Sequence, residues 1–268
     1  MSSCILHVSD LHFGAGSGLD DSALEQGIRA LIGRIEPELV VVSGDLTHHG
    51  RPAEHEVAAR YLKALEAPLL VIPGNHDIPP FSPGRITHPW REFKRHWQTT
   101  DASYSSPSFE VVGLNSVNPW GYQRGRVASA ELDRAASQLD RAQPGALRVV
   151  AIHHQLAGAP WRLRKLPLAR RSHVLTRLAD AGADLIAGGH IHQATAFDRR
   201  EFEVLDRGAR SCVLVTAPGL GRPRPGRRYE VRGVLVHSAV EHTLTVETHI
   251  WQDDDWQLAG TRSFPRSA

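Results

Sequence analysis

The chain has 268 residues, 41% of them hydrophobic, and Lys+Arg 31 against Asp+Glu 29 gives a net charge of +2. That is enough apolar material for one large α/β core, and so balanced a charge gives a nucleic-acid duplex little to hold. Cys4 and Cys212 are the only cysteines, which excludes a disulfide framework and favours a reducing compartment.

The apolar run Cys4-Ile5-Leu6-His7-Val8 predicts a strand over 4–9, and with no basic segment and long apolar stretch before it no signal peptide is expected. Leu24, Ile28, Leu31, Ile32 and Ile35 share one face at helical spacing, predicting a helix over 20–35. Residues 39–43, Leu-Val-Val-Val-Ser, are apolar enough for a strand buried on both faces. A helix over 52–66 opens on Pro52, which suits a first turn, and a strand over 69–72 ends at Pro73-Gly74. The stretch 79–103, rich in Pro, Ser, Thr and Trp, reads as an irregular insertion. Strand 109–115, helix 129–142, strand 147–152, helix 172–181 and strand 184–187 continue the alternation.

After residue 200 the helices stop. Segments 211–217, 230–237 and 242–250 read as strands, with a hairpin near Asp253-Asp254-Asp255. The pattern implies sheets covered by helices in a single domain, 1–268, whose strand-rich part from about 200 completes the second sheet. No apolar run reaches the roughly 18–20 residues of a membrane-spanning helix, so a soluble, cytoplasmic chain is expected.

The chain carries 16 His, and their placement is informative. Strand one ends in Ser9-Asp10-Leu11-His12, strand two in Gly44-Asp45 and strand three in Gly74-Asn75-His76-Asp77. The strand at 147–152 ends in His153-His154, and that at 184–187 in Gly188-Gly189-His190-Ile191-His192. A single Asp or His after a strand is usually a turn former or a surface residue. Five strand ends that each present such groups are poorly explained that way, because carboxyl ends of strands in an α/β sheet open onto a shared crevice. Carboxylates with imidazoles suit Mn, Fe, Zn or Co. Two such cations need a shared anion, for which Asp45 is the natural bridge, and about 3.5–4 Å apart they activate water against a phosphoryl group.

In this order the residues resemble the calcineurin-like metallophosphoesterase superfamily, whose motifs D-x-H, G-D, G-N-H-D, a strand-terminal H and G-H-x-H all occur between residues 10 and 192. The resemblance implies an α/β fold, a four-layer αββα sandwich of two mixed β-sheets flanked by helices. It implies that Asp10, His12 and His192 bind one metal ion, that Asn75, His153 and His190 bind a second, and that Asp45 bridges them. His76 is similar to the family histidine that contacts the phosphate and protonates the leaving oxygen, with Asp77 orienting it. Gly44-Asp45-Leu46-Thr47 resembles the cyclic-nucleotide and glycerophosphodiester branch. That branch often has Pro soon after its paired histidines, whereas this chain has His153-His154-Gln155-Leu156. Motif position favours His153 over His154 as the ligand.

The activity implied is hydrolysis of a small phosphodiester, a cyclic nucleotide or glycerophosphodiester, by a metal-bridging hydroxide, with two Mn, Fe or Zn ions. A phosphomonoesterase or a sugar-nucleotide/lipid pyrophosphatase on the same core is the alternative. A metal-stabilised binding scaffold is a third reading, disfavoured because all seven ligand positions are filled. Phe81 to Trp97, Asn118 to Tyr122, and Trp161 to Lys165 are candidates for substrate selection. His48, His49, His55, His88 and His96 lie outside the motifs. His49 could approach the site from the loop after Asp45, although a surface role suits it better, and the Arg-rich 222–228 loop reads as exposed. A homodimer is left open.

Overall fold

Strands that are apolar on both faces need cover on both sides, and the fold supplies it in four layers. The computed structural model describes residues 3–14, 22–121, 123–157, 165–206, 208–223 and 230–266. In chain order these form β1 (Cys4–Val8), α1 (Ser22–Ile35), β2 (Leu39–Val42), α2 (Pro52–Lys63), β3 (Leu69–Val71), α3 (Gly84–Thr87) and α4 (Arg91–Trp97). There follow β4 (Ser103–Ser105), β5 (Phe109–Leu114), α5 (Ser129–Leu139), β6 (Leu147–Ile152), α6 (Arg171–Asp180), β7 (Leu185–Gly188) and β8 (Thr195–Asp198). The chain continues with β9 (Val213–Thr216), β10 (Gly233–Val240), β11 (Thr243–Gln252) and β12 (Asp255–Pro265).

The strands make two six-stranded mixed sheets, ordered β12-β11-β10-β1-β2-β3 and β4-β5-β6-β7-β9-β8. Period-two alternation assigns each side chain its layer. On β1 and β2, Leu6, Val8, Val40 and Val42 face Leu24, Ile28 and Leu31 of α1, Leu62 of α2 and Phe93 of α4. Their neighbours Ile5, Leu39 and Val41 face inward, where they meet Val149, Leu185, Val215 and Leu235 between the sheets. On the far side Val112, Leu114, Val150 and Ile152 pack against Leu132 and Leu139 of α5 and Leu175 and Leu178 of α6.

Two expectations change. The 79–103 stretch is not irregular throughout, because α3 and α4 lie within it and Ser103 begins β4. Helix α4 exists to bury Phe93 completely, with its ring edge toward His55 of α2. One buried aromatic in seven residues flanked by Pro, Ser and Thr leaves no readable periodicity. The strands after residue 200 also divide between the sheets, since β9 lies parallel to β7 while β10 pairs antiparallel with the free side of β1. The turn joining β11 to β12 places Asp253 and Asp254 both at positive φ (52° and 57°), as a two-residue hairpin requires. Asp20 and Asp21, expected to open the first helix, lie outside the described residues, and no described helix is long and apolar enough to cross a membrane.

Helix α1 docks on the β11–β12 hairpin through Gly27, where an added Cβ would lie 2.2 Å from the Trp251 ring. Gly27→Ala is expected to lower the thermal midpoint, because overpacking costs about 1–3 kcal/mol against a helix-propensity gain of about 1 kcal/mol. A melt showing a raised midpoint would mean that the ring yields freely.

Candidate metal centre

The parallel strands of both sheets end at one rim. The loop after β1 runs beside the loop after β2, with Asp10 N donating to Gly44 O (3.0 Å), His12 N to Asp45 O (3.0 Å) and Phe13 N to Leu46 O (2.8 Å). The second sheet is tied to this pair by His190 N, which donates to Asp10 Oδ2 at 2.9 Å. Gly74 closes the third side, so tightly that a Cβ there would meet Asp45 N and Oδ1 at 2.2 Å. His76 N then donates to Asp45 Oδ1 at 2.9 Å.

The side chains converge in two groups. Asp10 Oδ1 lies 3.1 Å from His192 Nε2 and 3.7 Å from His12 Nε2, and the two Nε2 atoms are 3.1 Å apart. In the second group His153 Nε2 lies 3.3 Å from Asp45 Oδ1 and 3.2 Å from Asn75 Oδ1, with the His190 ring 5.1 Å away. Asp45 faces both, since its Oδ2 is 3.8 Å from His12 Nε2. The structure thus brings all seven sequence-predicted ligand residues together at one rim. His154 turns away, bonded through Nδ1 to Ser116 Oγ at 2.8 Å.

The donor set suits cations and little else. Asp10, Asp45, His153 and His190 have no solvent exposure. Asp10 Oδ1, Asp45 Oδ2 and both ring nitrogens of His190 are buried without a hydrogen-bond partner. Buried polar atoms in such numbers are costly unless something pairs with them, and a divalent ion does so at several atoms at once. Burial drives the His12 pKa down to about 3 and that of His190 well below the histidine range, so both rings are neutral and offer lone pairs. Burial also opposes charge on His153, but the Asp45 carboxylate, with Asp10 and the Ser43 carbonyl, outweighs it and lifts that pKa to about 9. Around Asp45 burial acts to raise the carboxyl pKa, yet His153, His76 and His12 hold it well below the usual range.

The backbone is strained at the same places. Asp10, His12, Asp45, His190 and His192 all have φ between 52° and 72°, a left-handed conformation that costs a side-chain-bearing residue on the order of 1–3 kcal/mol. Each is a residue type that tolerates that region better than most.

Asp77 requires correction. Its carboxylate accepts from Gly74 N (2.8 Å), Thr47 N (2.9 Å) and Thr47 Oγ1 (3.0 Å), which makes it a staple between two site loops. The His76 ring is oriented instead by the carbonyl of His48, to which Nδ1 donates at 2.7 Å. The His48 ring, which no motif marks, also stands at the mouth of the site, 5.8 Å from the rings of both His12 and His76. His49 points away to Glu54, 3.6 Å from its carboxylate. Glu230, carried by no motif, places a carboxylate oxygen 4.0 Å from His192 Nδ1.

A model of the calcineurin-like phosphoesterases matches residues 5–194. The chain belongs to the calcineurin-like phosphoesterase family. It is 41% identical over 80 residues to a glycerophosphodiester phosphodiesterase, GpdQ, of Enterobacter lignolyticus, covering 27% of this chain and 29% of that protein. It is 26% identical over 202 residues to a probable cyclic nucleotide phosphodiesterase of Synechococcus, covering 72% of this chain and 75% of that one. Among solved structures, a dimetal phosphatase from Danio rerio superposes with a TM-score of 0.65 at 13% identity, over 99% of both chains. That likeness carries the fold of the family, two sheets with flanking helices, and no more.

Asp45→Asn tests the centre most cleanly, since Asn tolerates positive φ and still accepts from His76 N while removing the charge. Metal analysis of the wild-type chain should find about two transition-metal ions, and of the variant one or fewer. Two ions retained by the variant would rule Asp45 out as the shared ligand.

Proposed function

We propose that this chain is a metal-dependent phosphodiesterase that hydrolyses a small phosphodiester of the cyclic-nucleotide or glycerophosphodiester class. The observation that carries this is the buried carboxylate of Asp45, one oxygen of which lies toward His12 and the other toward His153, so that it stands between the two groups. Asp10, His12 and His192 would hold one ion, Asn75, His153 and His190 the other, with Asp45 shared. Family membership supports a phosphoester substrate, and the two relatives with phosphodiesterase names support a diester. When bound, the ions supply Lewis-acid polarisation of the phosphoryl group and a water acidified toward neutrality.

The chain's own residues do the rest. His76 sits at the partly open side of the rim, its ring 4.9 Å from that of His12. Its Nδ1–H is committed to the His48 carbonyl. A proton that the ring passes to the departing alcohol oxygen would leave from Nε2. Burial of Asp10, Asp45 and His190 keeps bulk water from the inner side of the site, and among the described residues the half-buried or exposed His12, His48 and His76 line the side from which a phosphate would approach.

Selection among diesters would fall to two loops that leave this rim. Arg85 ties them together, donating to Pro79 O (3.1 Å), Pro119 O (2.8 Å) and Gly121 O (2.8 Å). They display Phe81 and Trp120, which are 91% and 82% exposed. Aromatic faces so placed suit a flat substituent on the ester. Tyr122 and Trp161 to Arg164 lie outside the described residues.

A Mn-supplemented screen of bis(p-nitrophenyl) phosphate, p-nitrophenyl phosphate and cyclic nucleotides tests the reading. Diesters should turn over faster, and preference for the monoester would replace it with a phosphomonoesterase. In the same assay His76→Ala should lower turnover by about 10²–10⁴-fold with metal content unchanged. Loss of metal from that variant would place His76 among the ligands instead.

A further inference from the structure

Beneath the rim, the apolar layer between the sheets contains three polar side chains with no part in the reaction just described. His7 on β1, Ser43 directly after β2 and His237 on β10 are all completely buried. His7 Nε2 lies 2.9 Å from Ser43 Oγ, and His7 Nδ1 lies 3.2 Å from His237 Nε2. The strand neighbours facing the same layer are Ile5, Val41 and Leu235. Desolvating two imidazoles and a hydroxyl there is less favourable than filling the space with aliphatic groups. His237 Nδ1 even finds no partner.

The position of Ser43 gives the cluster a purpose. Ser43 leads directly into Gly44-Asp45, and its carbonyl accepts from His153 Nδ1 at 2.8 Å. One residue therefore sets the direction of the shared carboxylate through the backbone and the orientation of an imidazole from the opposite sheet. Its amide is anchored on Val8 O at 3.0 Å, and its side chain is anchored on His7. Burial keeps both rings of the pair uncharged, with His7 down at about 3 and His237 also far below the histidine range. If His237 Nε2–H donates to His7 Nδ1, then His7 Nε2–H donates to Ser43 Oγ. The atom left over is then a lone pair, which is tolerated better than an orphaned N–H.

We propose that His7 is a positioning residue of the metal centre: through the Ser43 hydroxyl it fixes the corner that aims Asp45 and His153, and His237 holds the His7 ring in place. This rests on the metal-binding reading above. Outer partners of metal ligands act in this way by removing the freedom of the ligand to turn.

Two amide substitutions separate the two bonds of His7. In His7→Gln the amide falls near the place of Nε2 and keeps the Ser43 bond. In His7→Asn it falls near Nδ1, keeps the His237 bond and leaves Ser43 unheld. Calorimetric titration of Mn into metal-stripped protein should show His7→Gln within about 3-fold of wild type and His7→Asn weaker by about 10–100-fold. Both should melt at similar temperatures. Ser43→Ala, the milder change, should match His7→Asn in affinity, and the visible spectrum of the Co-loaded protein should shift in these two variants only. Wild-type Mn affinity in both His7→Asn and Ser43→Ala would overturn the proposal and leave the cluster a purely structural one. A wild-type chain that binds no Mn would instead overturn the metal reading itself.

Discussion

Two carboxylates and three imidazoles enclosed away from water, with several of their atoms lacking any hydrogen-bond partner, form an arrangement that protein alone stabilises poorly. Each carboxylate needs positive charge and each lone pair needs a donor. His153 meets part of that need, its Nδ1 donating to the Ser43 carbonyl and its Nε2 lying against Asp45. The remaining demand is what makes the rim a candidate cation site, and the rest of the fold can be understood as the means of holding that unfavourable cluster in register.

The means are mostly backbone. Asp10 and His12 donate their amides to the loop that carries Asp45, and Asp10 takes the amide of His190 from the other sheet. Asp45 in turn takes the amide of His76. Each candidate ligand loop is thus fastened by a neighbouring candidate ligand loop, and the two sheets are joined at the site as well as through their apolar layer. Such reciprocal fastening tolerates little change in any one loop, and the tight approach of Gly74 to Asp45 shows how little room is left.

Much of this was legible in the sequence because its causes are local. Strands buried on both faces write themselves as apolar runs, as in Leu39–Val42, and a ligand beside a tight turn writes itself as Gly-Asp or Gly-Gly-His. What escaped has non-local causes. Strand β12 is exposed along most of its length and is specified by its pairing with β11, so it shows no alternation. Helix α4 rests on one ring, Phe93. The orienting partner of His76 is a main-chain carbonyl, which any residue at position 48 could provide, and an acidic neighbour in sequence was the more natural candidate. Glu230 approaches His192 from 38 positions further along the chain, a distance at which no motif speaks.

The left-handed backbone at five of the candidate ligands has an evolutionary consequence. A lineage released from the need for the ions would relieve conformational strain and shed a polar ring in a single mutation by replacing His12, His190 or His192 with glycine. Asp10 and Asp45 also accept backbone amides and would not be lost so readily. Decay of the site would therefore run downhill in folding free energy and would begin at the three histidines. This chain has glycine at none of them.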